Sequence, residues 1–178
     1  TSKPPTTLTE LTAWTAQNPG RFSYPKPPDF LGMSFLKYVL VMLHEQQDAQ
    51  TGKNTSAQLN LPATEENTAL VLDPLWAFLD NFHPTLWRNG EQFVQTGAQM
   101  RRLVDDTELS LAFTFSAPEV PAAVQRYDLP QSIRSYAMSD GSLSNTHFVA
   151  IPYNASHPQA AQLVANFLMS PEAQAKKQ

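Results

Sequence analysis

Cysteine is absent from the chain. Disulfides, thiol nucleophiles and thiolate metal sites are therefore excluded, while any redox compartment stays open. Glycine is scarce, 6 in 178 residues, and none falls in a phosphate-cradling loop, a Walker sequence or a Gly-x-Ser-x-Gly elbow. The longest apolar run, Tyr38 to Leu43, is far too short to cross a bilayer. Positive charge is thin: Arg101–Arg102 and Lys176–Lys177 are the only basic doublets, and the formal net charge is −4. Nucleic-acid binding needs a clustered basic face, so no nucleic-acid partner is expected. The 4 histidines are scattered, whereas a metal site needs several convergent ligands. Neither a metal nor a cofactor is expected.

What is present suits a folded domain. The apolar fraction is ordinary, and a chain of this length buries roughly 70% of its unfolded surface. Thr7-Leu-Thr-Glu10 has the form of a capping box, and Leu8, Leu11 and Trp14 line the short helix it opens. Asn18-Pro-Gly20 closes that helix. Arg21 to Tyr24 reads as a short strand entering a proline-stiffened loop, Pro25-Lys-Pro-Pro-Asp29. Phe30 to His44 is a helix apolar nearly all round, hence buried. Residues 45 to 66 are polar and read as a helix end and a long surface loop, of the kind an insertion makes. Helix returns at Asn67 to Phe82, with Asp73-Pro74 as a restart or kink and Leu75, Phe78, Leu79 and Phe82 facing inward. Trp76 is expected in the core, while Trp14, Tyr24 and Trp87 are free to stack on a ligand.

Trp87-Arg-Asn-Gly90 is a turn, and Glu91 to Asp105 is a further amphipathic helix carrying Phe93, Gly97, Met100 and Val104. Leu109 to Phe115 is the clearest strand. Ile133 to Met138 and Thr146 to Tyr153 are further strand candidates. Ala160, Leu163, Val164, Phe167 and Leu168 then recur at the spacing of one helix face, and Ser170-Pro171 starts a last helix. Helices separate most of the strands, so the order predicts an α/β fold with a mixed sheet flanked by helices.

Catalytic constellations are not visible, so no catalytic residue is assigned. His44 and Asp48 share a helix face in a near miss for the zinc-protease motif, but the second His is missing. His147 is a lone imidazole. Asp105, Asp106 and Glu108 sit beside Arg101 and Arg102 and read as helix-end and turn residues. Ser116 and Asn145 are more informative, because open α/β sheets bind ligands outside strand ends. Pro28, Asp29 and Phe30 read either as a stiff cleft edge ending at a helix N-terminus, which favours anions, or as a rigid connector.

The wording of the C-terminal stretch carries a resemblance. The strand ending AIPYNA, the helix AAQLVANFL and the tail SPEAQ resemble the end of extracellular solute-binding proteins of bacterial ABC importers. TLTELTAW, GRFSYPKPPDFLGMSFLKYVL and QMRRLVDDTELSLAFTFSAPEV are similar to successive parts of the second lobe of such receptors, in the group near the thiamine-, iron- and polyamine-binding families. Those receptors usually read Asp-Gly-Glu where this chain has Asp106-Thr107-Glu108. The resemblance implies a periplasmic-binding-protein type II-like lobe over residues 1–140, with an insertion at about 45–66, and a hinge return with terminal helices over 141–178. It implies a fragment of a longer receptor, periplasmic or extracellular and membrane-anchored, whose partners are a small-molecule solute and a membrane permease. Pro28, Asp29, Phe30, Phe115, Ser116, Asn145 and Thr146 are the ligand contacts it implies. The terminal helix, deprived of another lobe, is expected to dock on this domain or on a second copy as a dimer. The alternatives are a hydrolase- or transferase-like α/β enzyme and a non-catalytic protein-interaction domain.

Overall fold

A computed structural model describes residues 3–116 and 118–177. The chain divides into two compact units, Thr1–Leu143 and Ser144–Gln178.

In the first unit α1 spans Leu8–Gln17. The Thr7 hydroxyl accepts from Glu10 N at 3.1 Å, as a capping box requires. The Glu10 carboxylate reaches one residue further back than expected, to Thr6 N at 2.7 Å. Strand β1 is only Phe22–Ser23. Helix α2 runs Phe30–Thr51, a turn and more beyond the expected end. Gly52 closes it in the left-handed region with φ 68, which glycine adopts without a Cβ penalty. The polar stretch after His44 therefore begins as helix, through Thr51, and is followed by a 3-10 segment at Ser56–Asn60. Asp48 ties that segment down: its carboxylate accepts from Thr55 Oγ1 at 2.6 Å and Ser56 N at 3.0 Å. Desolvation opposes its ionisation, but these hydrogen bonds outweigh it and hold the group below the usual carboxylate range.

Helix α3 spans Glu65–Phe82, opened by a capping box between Thr64 and Asn67, and it continues through Pro74. Leu75, Leu79 and Phe82 are buried, but Trp76 is 54% exposed, against the expectation of a core position. Trp76 falls one residue off the inward stripe, and 100° of rotation carries its ring to the outer face. Helix α4 is Gly97–Asp105, capped by Thr96. It starts six residues later than the apolar spacing suggests, because Phe93 and Val94 are used in a loop. Lys26 N donates to Val94 O at 2.7 Å, and Val94 is fully buried.

The sheet is the largest departure. Strand β2, Leu111–Ala112, pairs in parallel with β1 in the register Phe22 to Leu111, and the sheet has two strands. Ile133–Met138 and Thr146–Tyr153 carry strand-like sequence but form no ladder among the described residues. The expected mixed sheet is thus reduced to one parallel pair, with helices supplying most of the core. That core centres on Phe35, whose ring lies 4.6 Å from Tyr24, 5.5 Å from Phe22, 5.7 Å from Phe113 and 6.2 Å from Phe82. Helix α5, Glu119–Gln125, follows β2.

In the second unit α6 spans Pro158–Met169 and α7 Pro171–Lys177. The Ser170 hydroxyl accepts from Ala173 N at 3.2 Å, capping α7 as expected. No residue of α6 is buried; Leu163, Val164, Phe167 and Leu168 are all exposed. Among the described residues no helix is long and apolar enough to cross a membrane.

Candidate functional site

Two loops of the first unit meet at the start of α2. Asp29 caps that helix, its Oδ1 accepting from Leu31 N at 2.9 Å, so one oxygen of this expected ligand contact is engaged by its own helix. The preceding Pro27–Pro28 peptide is cis, and Pro28 is exposed. Phe30, the first helical residue, is 52% exposed and packs edge-on against Phe115, with ring centroids 5.1 Å apart at 66°. Phe115 lies just past β2. The structure thereby brings together two sequence-expected contacts separated by 85 positions (115 − 30).

Ser116, next along, is exposed. Its backbone N–H donates to Thr114 Oγ1 at 3.2 Å and its carbonyl accepts from Glu119 N at 3.2 Å, which is the turn chemistry that starts α5. Asn145 and Thr146 belong to the other unit, where both are exposed in a stretch without regular structure.

Beside Phe115 stands a polar cluster that sequence reasoning missed. Arg101 of α4 pairs with Glu119 of α5 through Nη1 and Oε1, and Thr114 donates its hydroxyl to Glu119 Oε2 at 2.9 Å. The signal was present in the spacing: Gly97, Met100, Arg101 and Val104 fall at i, i+3, i+4 and i+7, which puts the arginine beside the inward stripe of α4, where it stays exposed while lining the groove. All four residues line a groove of about 400 Å³. Phe113, Phe115 and Ile133 form other parts of its wall. The groove runs along β2 and residues 133–138, which have no regular structure where the sequence predicted a further strand. Its volume and mostly apolar wall with a few polar groups match small-molecule sites.

The residues considered for other chemistry take structural places. His44 is buried within α2, and its Nε2–H donates to Val71 O at 2.9 Å. Tyr24 is buried in the aromatic core, its hydroxyl 2.8 Å from His83 Nε2. Burial raises the Tyr24 phenol well above its ordinary value. Burial likewise lowers the His83 imidazole, opposed by Asp80. Trp14 packs against the core. Trp87 donates Nε1–H to Glu108 Oε2 at 3.0 Å and is covered by the Arg88 guanidinium at 4.7 Å. Among the described residues no group of three or more His, Asp or Glu side chains could hold a metal ion.

The groove is thus apolar, with aromatic and ionic groups at its wall. The chain belongs to the bacterial extracellular solute-binding protein family, whose profile matches residues 1–177. Among curated proteins it is similar to protein YnjB of Escherichia coli (strain K12), at 39% identity over 177 residues, covering 99% of this chain and 43% of that protein. The chain thus spans less than half the length of this relative. No solved structure matches it at a significant level.

Proposed function

We propose that this chain forms a ligand-facing part of a solute receptor of an ABC import system. The receptor captures a small solute between two lobes and delivers it to a membrane permease, working in the periplasm or outside the cell on a membrane anchor. In this reading residues 1–140 are a lobe of the periplasmic-binding-protein type II kind, and 141–178 return across the hinge into terminal helices. Family membership supports the reading, and the observation that carries it to a site is the contact of Phe30 with Phe115, of which Phe115 lines the groove. Pro28, Asp29, Phe30, Phe115 and Ser116 contribute ligand contacts from one lobe, and Asn145 and Thr146 from the return. Binding closes the lobes about the hinge, and the closed form is what the permease recognises. No bond is made or broken, so the protein is not an enzyme.

The exposed apolar stripe of α6 supports its docking on a further part of the receptor or on a second copy, since stripes of that kind mark contact surfaces. Sedimentation of the 178-residue chain separates the two, a concentration-dependent dimer favouring the second copy.

The receptor reading is tested on the full-length protein. Small-angle scattering during titration with a solute panel should record compaction on binding. Phe30→Ala and Phe115→Ala should each weaken the bound solute about tenfold, the value of a desolvated aromatic contact. Chemical turnover of the bound solute, or binding unaffected by both substitutions, would refute it.

A further inference from the structure

Among the described residues, three charged side chains line the groove: Arg101, Arg134 and Glu119. Their hydrogen bonds leave unequal spare capacity. Glu119 is engaged at both oxygens, Oε1 by Arg101 and Oε2 by Thr114. The bond to Glu119 uses Arg101 Nη1, and a guanidinium offers five N–H donors in all. Arg134 turns its Nη1 to the carbonyls of Gln131 and Ile133, which fixes the side chain while its other nitrogens keep their donors. The groove therefore carries a local excess of positive charge and of donors, although the chain as a whole is at −4. The surrounding wall is largely apolar, with Leu31, Phe113 and Ile133 among its residues.

We propose that the groove takes an organic anion: a carboxylate read by Arg101 and Arg134, on an apolar or aromatic body that lies against Phe113 and Phe115. This deepens the receptor reading and rests on it for the role of the groove. Three features fit together. Glu119 and Thr114 hold Arg101 in place, so less side-chain freedom is lost on binding. A guanidinium accepts a carboxylate through two parallel N–H bonds, a geometry a neutral head cannot match. The volume of about 400 Å³ accommodates a body the size of an aryl-alkyl chain. Cations are disfavoured because the carboxylate that would receive them is already engaged.

The test uses the full-length protein and three isosteric probes, 4-phenylbutyrate, 4-phenylbutanamide and 4-phenylbutylamine, by isothermal titration calorimetry. The acid should bind at least about tenfold tighter than the amide, the ratio expected for charge-assisted hydrogen bonds, and the amine should bind weakest. Arg101→Gln and Arg134→Gln should each cost the acid about tenfold and leave the amide unchanged, while Arg101→Lys should retain part of the affinity. Circular dichroism and thermal melts of each variant separate loss of binding from loss of fold. An amide or amine that binds as tightly as the acid, or folded arginine variants that bind it normally, overturns the proposal. A sugar or a cation that closes the lobes would do so too, while leaving the receptor reading intact. Arginine-dependent binding of the acid without any lobe closure would uphold the groove's chemistry and count against the receptor reading.

Discussion

The Tyr38 hydroxyl donates to Asp140 Oδ1 across 2.7 Å, joining residues 102 apart in the chain. The other carboxylate oxygen accepts from Leu8 N, also at 2.7 Å. One side chain thus ties the start of α1, the middle of α2 and the far end of the first unit. Ser139 reinforces the clasp, its N–H donating to Thr6 O at 2.7 Å. Tyr38 is buried, so its hydroxyl has no water to turn to. Tyr38→Phe is expected to cost about 1.5–3 kcal/mol, the range for a hydrogen bond to a charged group. Asp140→Ala should cost more, because Leu8 N is orphaned too. Urea unfolding of both variants and the double variant should give a clearly non-additive cycle, as residues in one network do.

The same tyrosine predicts alkaline sensitivity. Burial first, and then the bond to Asp140, raise the Tyr38 phenol well above its ordinary value; burial alone does so for Tyr24. In the unfolded chain both ionise near pH ~10, while in the fold both stay protonated. Their contribution is therefore complete below that pH and falls away as the pH rises through the folded values. Melting temperature should drop steeply between pH ~10 and ~12, and Tyr38→Phe should make the decline shallower.

At acid pH the sensitive group is His83. Burial lowers its imidazole despite Asp80, and its Nε2 lies 2.8 Å from the Tyr24 hydroxyl. The unfolded imidazole takes up a proton near pH ~6.5, before the folded one does. Its stabilising contribution is present above that pH and is lost as the pH falls through the lowered folded value. Carboxylates add their own acid loss, so the measurement is a difference: the urea midpoint from pH 7 to pH 5 should fall less in His83→Gln than in the parent.

Gly32 is a steric necessity. A Cβ built there would lie 1.9 Å from the Pro25 carbonyl oxygen, and both residues are buried. Alanine would gain about 1 kcal/mol in helix propensity. It would also force α2 off the Pro25 backbone, which cannot swing away like a side chain. The net cost of Gly32→Ala should be about 3 kcal/mol or more, at the upper end of overpacking effects. Because α2 begins beside this contact, solute affinity should fall with stability.

Local signals were legible where one helix or turn decides the outcome. The stripe of α6, the Ser170 cap and the Trp87–Gly90 turn could all be reached from spacing, whereas Phe30 and Phe115 were expected only as separate positions and their contact is visible only in the fold. The strands could not. A strand candidate such as Ile133–Met138 shows only that a segment suits a ladder; the edge it would pair with is non-local information. The late start of α4 has a similar cause, since Phe93 and Val94 fit a helical spacing but find their contacts in a loop against Lys26 and Tyr24. Arg101 escaped because its neighbours Arg102, Asp105 and Asp106 suggested a solvated helix end, and it is indeed exposed; its pairing with Glu119 depends on α5, which local spacing cannot show.

Thr107 offers a stabilising change. It sits at φ 60, in the left-handed region that a β-branched residue occupies only under strain. It cannot simply relax, because its N–H donates to Val104 O at 3.1 Å and its carbonyl accepts from Arg21 Nη1 at 2.8 Å. This is the position where the receptors it resembles carry glycine in an Asp-Gly-Glu turn. Glycine removes a left-handed penalty of roughly 1–2 kcal/mol and gives back part of it through greater freedom of the unfolded chain. Thr107→Gly should therefore stabilise by about 0.5–1 kcal/mol, while Thr107→Ala, which keeps a Cβ, should gain little. Urea unfolding of the three proteins checks the order, and a glycine variant less stable than the parent would show that the turn carries no strain to relieve.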